Sequence, residues 1–102
     1  MSADEDSSVL MKVKIKGLAS FRDLLGSDSS LDIESGSTVE DVLQKLSSDN
    51  RRFRETAFDE SGKLRDFVKL MKNRKIIESS EAEGIELAEG DELAIFPPVA
   101  GG

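Results

Sequence analysis

The sequence predicts an α+β domain in which one main helix, with shorter helices, covers one face of a mixed sheet. Three observations predict it: an alternating segment near the N-terminus, an amphipathic helix in the middle, and an apolar strand near the C-terminus. The 102 residues suffice for one domain with one core. We divide them into an acidic tail expected to be disordered (1–8), a folded domain (9–96) and an extended tail (97–102).

The N-terminal half is predicted to contain two strands joined by a short helical link. Met11, Val13 and Ile15 alternate with lysines, which indicates a strand with one solvated face. The segment "LASFRDLLG" has apolar residues at helical spacing and Gly26 as a C-cap, so we expect one or two helical turns. "SLDIES" alternates again and is expected to pair with the first strand as a hairpin, or nearly so.

The strongest helix signal lies in "SGSTVEDVLQKLSSDN". Ser37 with Glu40 forms one possible capping box, and Thr38 with Asp41 forms the alternative. The pattern predicts a helix with one apolar stripe facing the sheet. The stripe consists of Val39, Val42, Leu43 and Leu46.

The C-terminal half is predicted to add a short helix and three strands. "NRRFRETAF" is expected to be helical, "DESGK" a turn, "LRDFVKLMKN" a strand and "KII" a short strand after a turn at "NRK". "ESSEAEGIELAEGD" is expected to be a polar crossing that contributes little to the core, and "DELAIF" is the last strand. This order predicts a β-grasp (ubiquitin-like) roll. In the short helix the inward residues are expected to be Phe53, Ala57 and Phe58.

Composition argues against catalysis by the chain's own side chains. With no His and no Cys, the commonest general base, thiol nucleophile and metal ligands are absent, so we expect no metal site and no bound cofactor. The net charge of −7 argues against nucleic acid. No apolar run approaches the ~20 residues that span a membrane, and the acidic N-terminus does not resemble a signal peptide. We expect a cytoplasmic protein.

Charge is unevenly distributed along the second half. Residues 63–75 are rich in lysine and arginine, whereas residues 78–92 carry seven acids and no base. This asymmetry suits docking to a partner protein with a complementary field. A solubilising surface is the alternative explanation.

The C-terminus "IFPPVAGG" is the most informative segment. We expect Leu93 and Ile95 to face the core and Phe96 to lie on the open face beside the departing tail. Two prolines hold the chain extended, and residues 97–102 reach at most ~20 Å at ~3.3 Å per residue. Gly101 and Gly102 lack a Cβ, so they fit a narrow channel. Such a tail delivers an unhindered α-carboxylate into the active site of another protein.

These residues resemble the MoaD/ThiS family of ubiquitin-like sulfur carriers, MoaD most closely, and are also similar to archaeal small modifier proteins. The resemblance spans about residues 11–102 and is most specific at "DELAIFPPVAGG". Supporting segments are "MKVKIKGLASFRDLLG", "STVEDVLQKL" and "FVKLMKNRK". An acidic N-terminal segment and a longer stretch around 50–66 depart from the shortest family members.

The resemblance implies that a MoeB/ubiquitin-activating-type adenylyltransferase, using ATP and magnesium, adenylates Gly102. Sulfur transfer then gives a thiocarboxylate, which in the MoaD role enters the large subunit of molybdopterin synthase for molybdenum cofactor synthesis. Gly102 is then the acyl-bearing residue. The residues implied to guide the tail are Phe96, Pro97, Pro98, Val99, Ala100 and Gly101.

Three functions remain open at this point. The first is sulfur carriage for molybdopterin, with thiamine and tRNA thiolation as related pathways. The second is conjugation through Gly102 to lysines of target proteins, and the third is a plain interaction domain. The first two need a free Gly102 carboxylate, whereas the third does not.

Overall fold

The computed structural model describes residues 9–26 and 28–97. Its described part contains five strands, three α-helices and two short 3-10 helices. The predicted disordered segment 1–8 lies outside it. In chain order the elements are β1 (Leu10–Gly17), η1 (Ala19–Phe21), α1 (Arg22–Leu25), β2 (Ser29–Glu34), α2 (Val39–Asp49), α3 (Arg51–Ala57), β3 (Lys69–Lys72), β4 (Lys75–Ile77), η2 (Ser79–Gly84) and β5 (Glu92–Phe96).

The strands form one mixed sheet in the order β2-β1-β5-β3-β4. β1 pairs antiparallel with β2 and parallel with β5, while β3 pairs antiparallel with both β5 and β4. The first and last strands of the chain are therefore adjacent at the centre, and the sheet confirms the predicted α+β roll. No helix in the described part of the chain is long and apolar enough to span a membrane.

One face of the sheet packs against α2 and α3. The other face, which we call the open face, carries no helix among the residues that the structure describes. In β1, Val13 and Ile15 are at most 1% exposed, and the alternating lysines lie on the opposite face. The helices contribute Val42 and Phe53, both fully buried. Phe53 stacks edge-on against a second ring, Phe21, with centroids 6.0 Å apart. The sequence predicts that Phe53, Ala57 and Phe58 face the core, and all three are buried.

The capping box at the start of α2 uses the second of the two predicted frames. The Thr38 hydroxyl accepts a hydrogen bond from the Asp41 amide at 3.2 Å, and the Asp41 carboxylate accepts one from the Thr38 amide at 3.0 Å. The Ser37 frame is wrong because the Ser37 backbone is occupied otherwise: its amide donates to Glu34 and its carbonyl accepts from Leu87. The predicted stripe of four apolar residues is buried as expected.

The crossing from 78 to 91 differs from its predicted role as a polar segment with little core. It contains the 3-10 helix η2, and both Ala82 (1% exposed) and Leu87 (4%) belong to the core. The sequence hides this contribution, because the apolar residues Ala82, Ile85 and Leu87 are separated by acids and a glycine and follow no single period. The crossing therefore packs on α2 as well as linking β4 to β5.

β3 is shorter than the segment "LRDFVKLMKN" predicts. Before Lys69 the chain turns: Arg65 donates its amide to the Ala57 carbonyl, and Val68 donates to the Arg65 carbonyl. The first bond and the bridge between Leu64 and Phe58 tie this segment to the end of α3, and only Lys69–Lys72 joins the sheet. The turn after it is as predicted, with Asn73 and Arg74 both at positive φ, which suits a tight two-residue hairpin.

Candidate functional site

The strand that leads into the C-terminal tail is the central strand of the sheet. β5 is bordered on one side by β1 and on the other by β3. Leu93 and Ile95 are both 0% exposed, which confirms the predicted inward pair. The tail is thus anchored by a strand that cannot shift without disturbing the core.

On the β1 side, the end of β5 is closed by a tight loop. Ile95 lies opposite Gly17, and its carbonyl accepts a hydrogen bond from the Leu18 amide at 3.1 Å. A Cβ added to Gly17 would lie 2.3 Å from the Phe21 carbonyl oxygen, so only glycine fits there. This loop fixes the position at which the chain leaves the sheet.

On the β3 side, Phe96 lies opposite Lys69, and both Phe96 and Pro97 are half-buried. Phe96 occupies the predicted place, on the open face at the last position of the strand. Pro97 follows the strand, as expected of a residue that cannot donate to a ladder. The other predicted site residues lie outside the described residues, and their roles stay predictions. They are Pro98, Val99, Ala100, Gly101 and Gly102.

The opposite end of β5 is held by the β3–β4 turn. The Asn73 side chain accepts from the Glu92 amide at 2.9 Å and donates to the Asp91 carboxylate at 3.1 Å. Asp91 also accepts from the Ala88 amide at 2.8 Å and lies 3.8 Å from the Lys72 ammonium. Desolvation raises the pKa of Asp91, but these hydrogen bonds and the Lys72 charge outweigh it and hold the pKa below its ordinary value.

Apolar side chains collect on the open face near the tail exit. Ile76, Met71 and Ala94 lie in register across β4, β3 and β5, and Phe96 is the next residue on that face of β5. We call these four residues the exit patch. Ile76 is 63% exposed, whereas Ala94 is only 3% exposed and forms the floor. A fifth apolar residue, Phe67, is 42% exposed just before β3, at the same end of the sheet.

Lysines border the exit patch. Lys16 lies opposite Ala94, and Lys69 lies opposite Phe96. Lys16 is 4.0 Å from the Glu92 carboxylate, so part of its charge is balanced within the strand pair. An apolar centre with a cationic rim is suited to a partner surface that is apolar and acidic.

Sequence reasoning singled out Phe96 but missed Met71, Ile76 and Phe67. For Met71 the signal was available in "KLMK", since with Leu70 inward the next residue must face the other way. Phe67 lies in the turn before β3, and Ile76 lies in β4, so the alternation of β3 does not reach them. Among the described residues there is no group of three or more acidic side chains arranged to hold a metal ion. Pro97, the last described residue, directly follows Phe96 of the exit patch.

Comparison with known proteins places these features in a family. A profile described as the ThiS family matches residues 15–102. Small archaeal modifier protein 1 of Haloferax volcanii is 35% identical over 72 residues, which cover 71% of this chain and 78% of that protein. The crystal structure of SAMP1 from the same organism superposes with a TM-score of 0.76 at 32% identity, over 89% of this chain and 99% of that one.

Two further structures extend the likeness to proteins with other names. A putative molybdopterin converting factor, subunit 1, from Pyrococcus furiosus has a TM-score of 0.65 at 28% identity, over 87% of this chain and 99% of that one. A chain of the Amycolatopsis orientalis BexX/CysO complex has a TM-score of 0.65 at 27% identity, over 88% and 99% respectively. The fold is thus shared with proteins named for protein modification, for molybdopterin conversion and for a complex with a partner.

Proposed function

Because this chain belongs to the ThiS family of ubiquitin-like carriers and modifiers, we propose that its Gly102 carboxylate is adenylated by a partner enzyme and then transferred as an acyl group. The observation that carries the proposal is the way the tail is mounted. It continues from a fully buried residue, Ile95, at the centre of the sheet and ends six residues after Phe96. The folded domain therefore fixes the point at which the tail leaves the sheet. The two glycines have no side chain to hinder access to the terminal carboxylate.

The chemistry divides between the two proteins. A carboxylate oxygen of Gly102 attacks the α-phosphorus of ATP, and pyrophosphate leaves. ATP and magnesium belong to the activating enzyme, a MoeB/ubiquitin-activating-type adenylyltransferase. This chain contributes the carboxylate and the docking surface, and the exit patch with its lysine rim is the surface we assign to that contact.

We propose as the first fate of the acyl-adenylate that hydrosulfide attacks the Gly102 carbonyl carbon and AMP leaves. Loss of the sulfur proton then gives a thiocarboxylate on Gly102. That thiocarboxylate would supply the sulfur for molybdopterin synthesis after the tail enters the large synthase subunit. The likeness to the Pyrococcus furiosus protein, named as a putative molybdopterin converting factor subunit, supports this fate.

The second fate is attack by the ε-amine of a lysine, which displaces AMP and leaves an isopeptide bond. The 35% identity to a protein named small archaeal modifier protein 1 supports this second fate. This support is comparable to the support that the Pyrococcus furiosus protein gives to the first fate. The same tail serves both fates, because each needs the Gly102 carboxylate and an unhindered approach to it.

One experiment distinguishes the fates. The protein is purified from its own cells and its intact mass is measured. Tryptic peptides of the whole proteome are then searched for lysines that carry residues 76–102 as a remnant, because Lys75 is the last trypsin site in the sequence. An exchange of oxygen for sulfur at Gly102 indicates the carrier, and remnants on other proteins indicate the modifier. If the mass is unmodified and no remnant is found while the activating enzyme is expressed, both fates are contradicted.

A further inference from the structure

The two outer edges of the sheet are protected to different degrees. β4 forms one edge with only three residues and begins with Lys75, and a short, lysine-bearing edge discourages pairing with other strands. β2 forms the other edge with six residues, Ser29–Glu34, and contains no lysine, arginine or proline. Within the described residues, β2 has a strand partner, β1, on one side only. Its outer backbone groups are available to a further strand.

A groove runs along this edge. It has a volume of about 550 Å³ and lies between β2 and the facing side of α2. Ile33 on the strand is one wall, and Asp41 and Lys45, one helical turn apart, are the other. Leu10, which is 56% exposed, adds an apolar surface at the end of the groove. An extended peptide in this groove would form backbone hydrogen bonds with β2 on one side and side-chain contacts with α2 on the other.

The groove is acidic. Asp32, Glu34 and Asp41 line it, against the single cation Lys45. Lys45 lies 3.7 Å from the Asp49 carboxylate, so its charge is partly balanced within α2. Asp32 is 3.1 Å from Lys12, whereas Glu34 has no ion pair among the described residues. The surplus of carboxylates favours a ligand that carries lysine or arginine.

We propose that the outer edge of β2 and its groove form a second, non-covalent docking site, which binds an extended basic segment of a partner protein as an added strand. Backbone hydrogen bonds along Ser29–Glu34 supply the register, and alternate apolar side chains of the ligand pack toward Ile33 and α2. The site is separated from the tail exit by β1, so one chain can engage both partners. It does not depend on the fate of Gly102.

The test begins with random ten-residue peptides displayed on phage and selected on the full-length protein. Enriched peptides are synthesised and titrated into ¹⁵N-labelled protein while backbone amide shifts are recorded. We expect enriched sequences to alternate apolar residues and to carry lysine or arginine. Their binding should shift the amides of residues 29–34 and 41–45 and slow the exchange of outward amides of β2.

A matched pair of variants tests the charge argument. Glu34→Gln should lower the affinity of the protein for the synthetic peptide about two- to fivefold, which is the range for the loss of one exposed charge pair. Glu60→Gln, on a distant loop, should leave the affinity unchanged. The proposal is overturned if no peptide is enriched, if enriched peptides are acidic, or if their shifts map to the exit patch. Amide shifts of β2 that depend on protein concentration without peptide would identify a second copy of this chain as the occupant and also overturn it.

Discussion

The two faces of β5 serve different purposes, although their residues alternate along five positions. Leu93 and Ile95 face the helices and are completely buried. On the other face Ala94 is covered, Phe96 is half-buried, and the neighbouring Ile76 is mostly exposed. The first face holds the strand in place, and the second remains open for a partner. Substitutions on the first face should therefore change stability, and those on the second should change docking.

The largest effect is expected on the buried face. Ile95→Ala removes a fully buried side chain from the centre of the sheet and should lower the free energy of unfolding by about 2–5 kcal/mol, as measured by urea denaturation. Each kcal/mol corresponds to about 4–8 °C in melting temperature for a domain of this size. A loss below about 1 kcal/mol would show that β5 is not the anchor described above.

The next effect concerns the loop that closes the end of β5. Gly17→Ala places a methyl group against the Phe21 carbonyl and should cost about 1–3 kcal/mol in the same urea experiment. Gly84→Ala is the matched control, since nothing lies within 4 Å of its added Cβ and its φ is not in the left-handed region. Equal stability of the two variants would contradict the close approach of β1 to η1.

Substitutions on the open face should change binding to the activating enzyme more than they change stability. Phe96→Ala should weaken binding to the activating enzyme about five- to thirtyfold, the cost of a loss of about 1–2 kcal/mol at an aromatic anchor. Removal of the Phe96 ring should also lower the free energy of unfolding. This loss should be no more than about half the loss expected for a fully buried aromatic side chain, since Phe96 is only half-buried. Val9→Ala, at an exposed apolar residue just before β1 that belongs to neither docking surface, is the control in calorimetric titrations. If both variants bind as well as the unmodified protein, the exit patch is not the docking surface.

The smallest expected effect is a pH dependence that arises at the start of β5. The pKa of Asp91 is lowered in the folded protein, so its ionised form stabilises the fold at pH values above its ordinary pKa of 3.8. That contribution is lost as the pH falls through the lowered pKa. Asp91→Asn should therefore be less stable than the unmodified protein near neutral pH, and the difference should shrink in acid. A difference that is constant across this range would exclude the carboxylate charge as the cause.

Much of the fold could be predicted from periodicity, because its burial follows regular patterns. The alternation in β1, the stripe of the α2 helix and the inward pair of β5 each repeat at the period of their element. Ala82 and Leu87 could not be predicted in this way, since the apolar residues of this segment follow no single period and their burial depends on how the chain crosses α2. The choice of Thr38 over Ser37 as the cap likewise depends on a tertiary contact, the bond from Leu87 to the Ser37 carbonyl.

The candidate site was predictable in part. The position of Phe96 followed from the alternation of "LAIF", and the structure agrees. The exit patch was missed because its members come from three strands, and only the register of those strands brings them together. The roles of Pro98–Gly102 rest on their residue types and on the family to which the chain belongs.

The central claim is that the terminal carboxylate of Gly102 is the reacting group, and deletion of Gly102 tests it most directly. The truncated chain and the unmodified chain are each incubated with the activating enzyme and ATP, and ATP–pyrophosphate exchange is measured. Both chains should unfold at the same urea concentration, because the tail follows the last core residue. We expect exchange with the unmodified chain and none with the truncated one. Undiminished exchange by the truncated chain would contradict the claim.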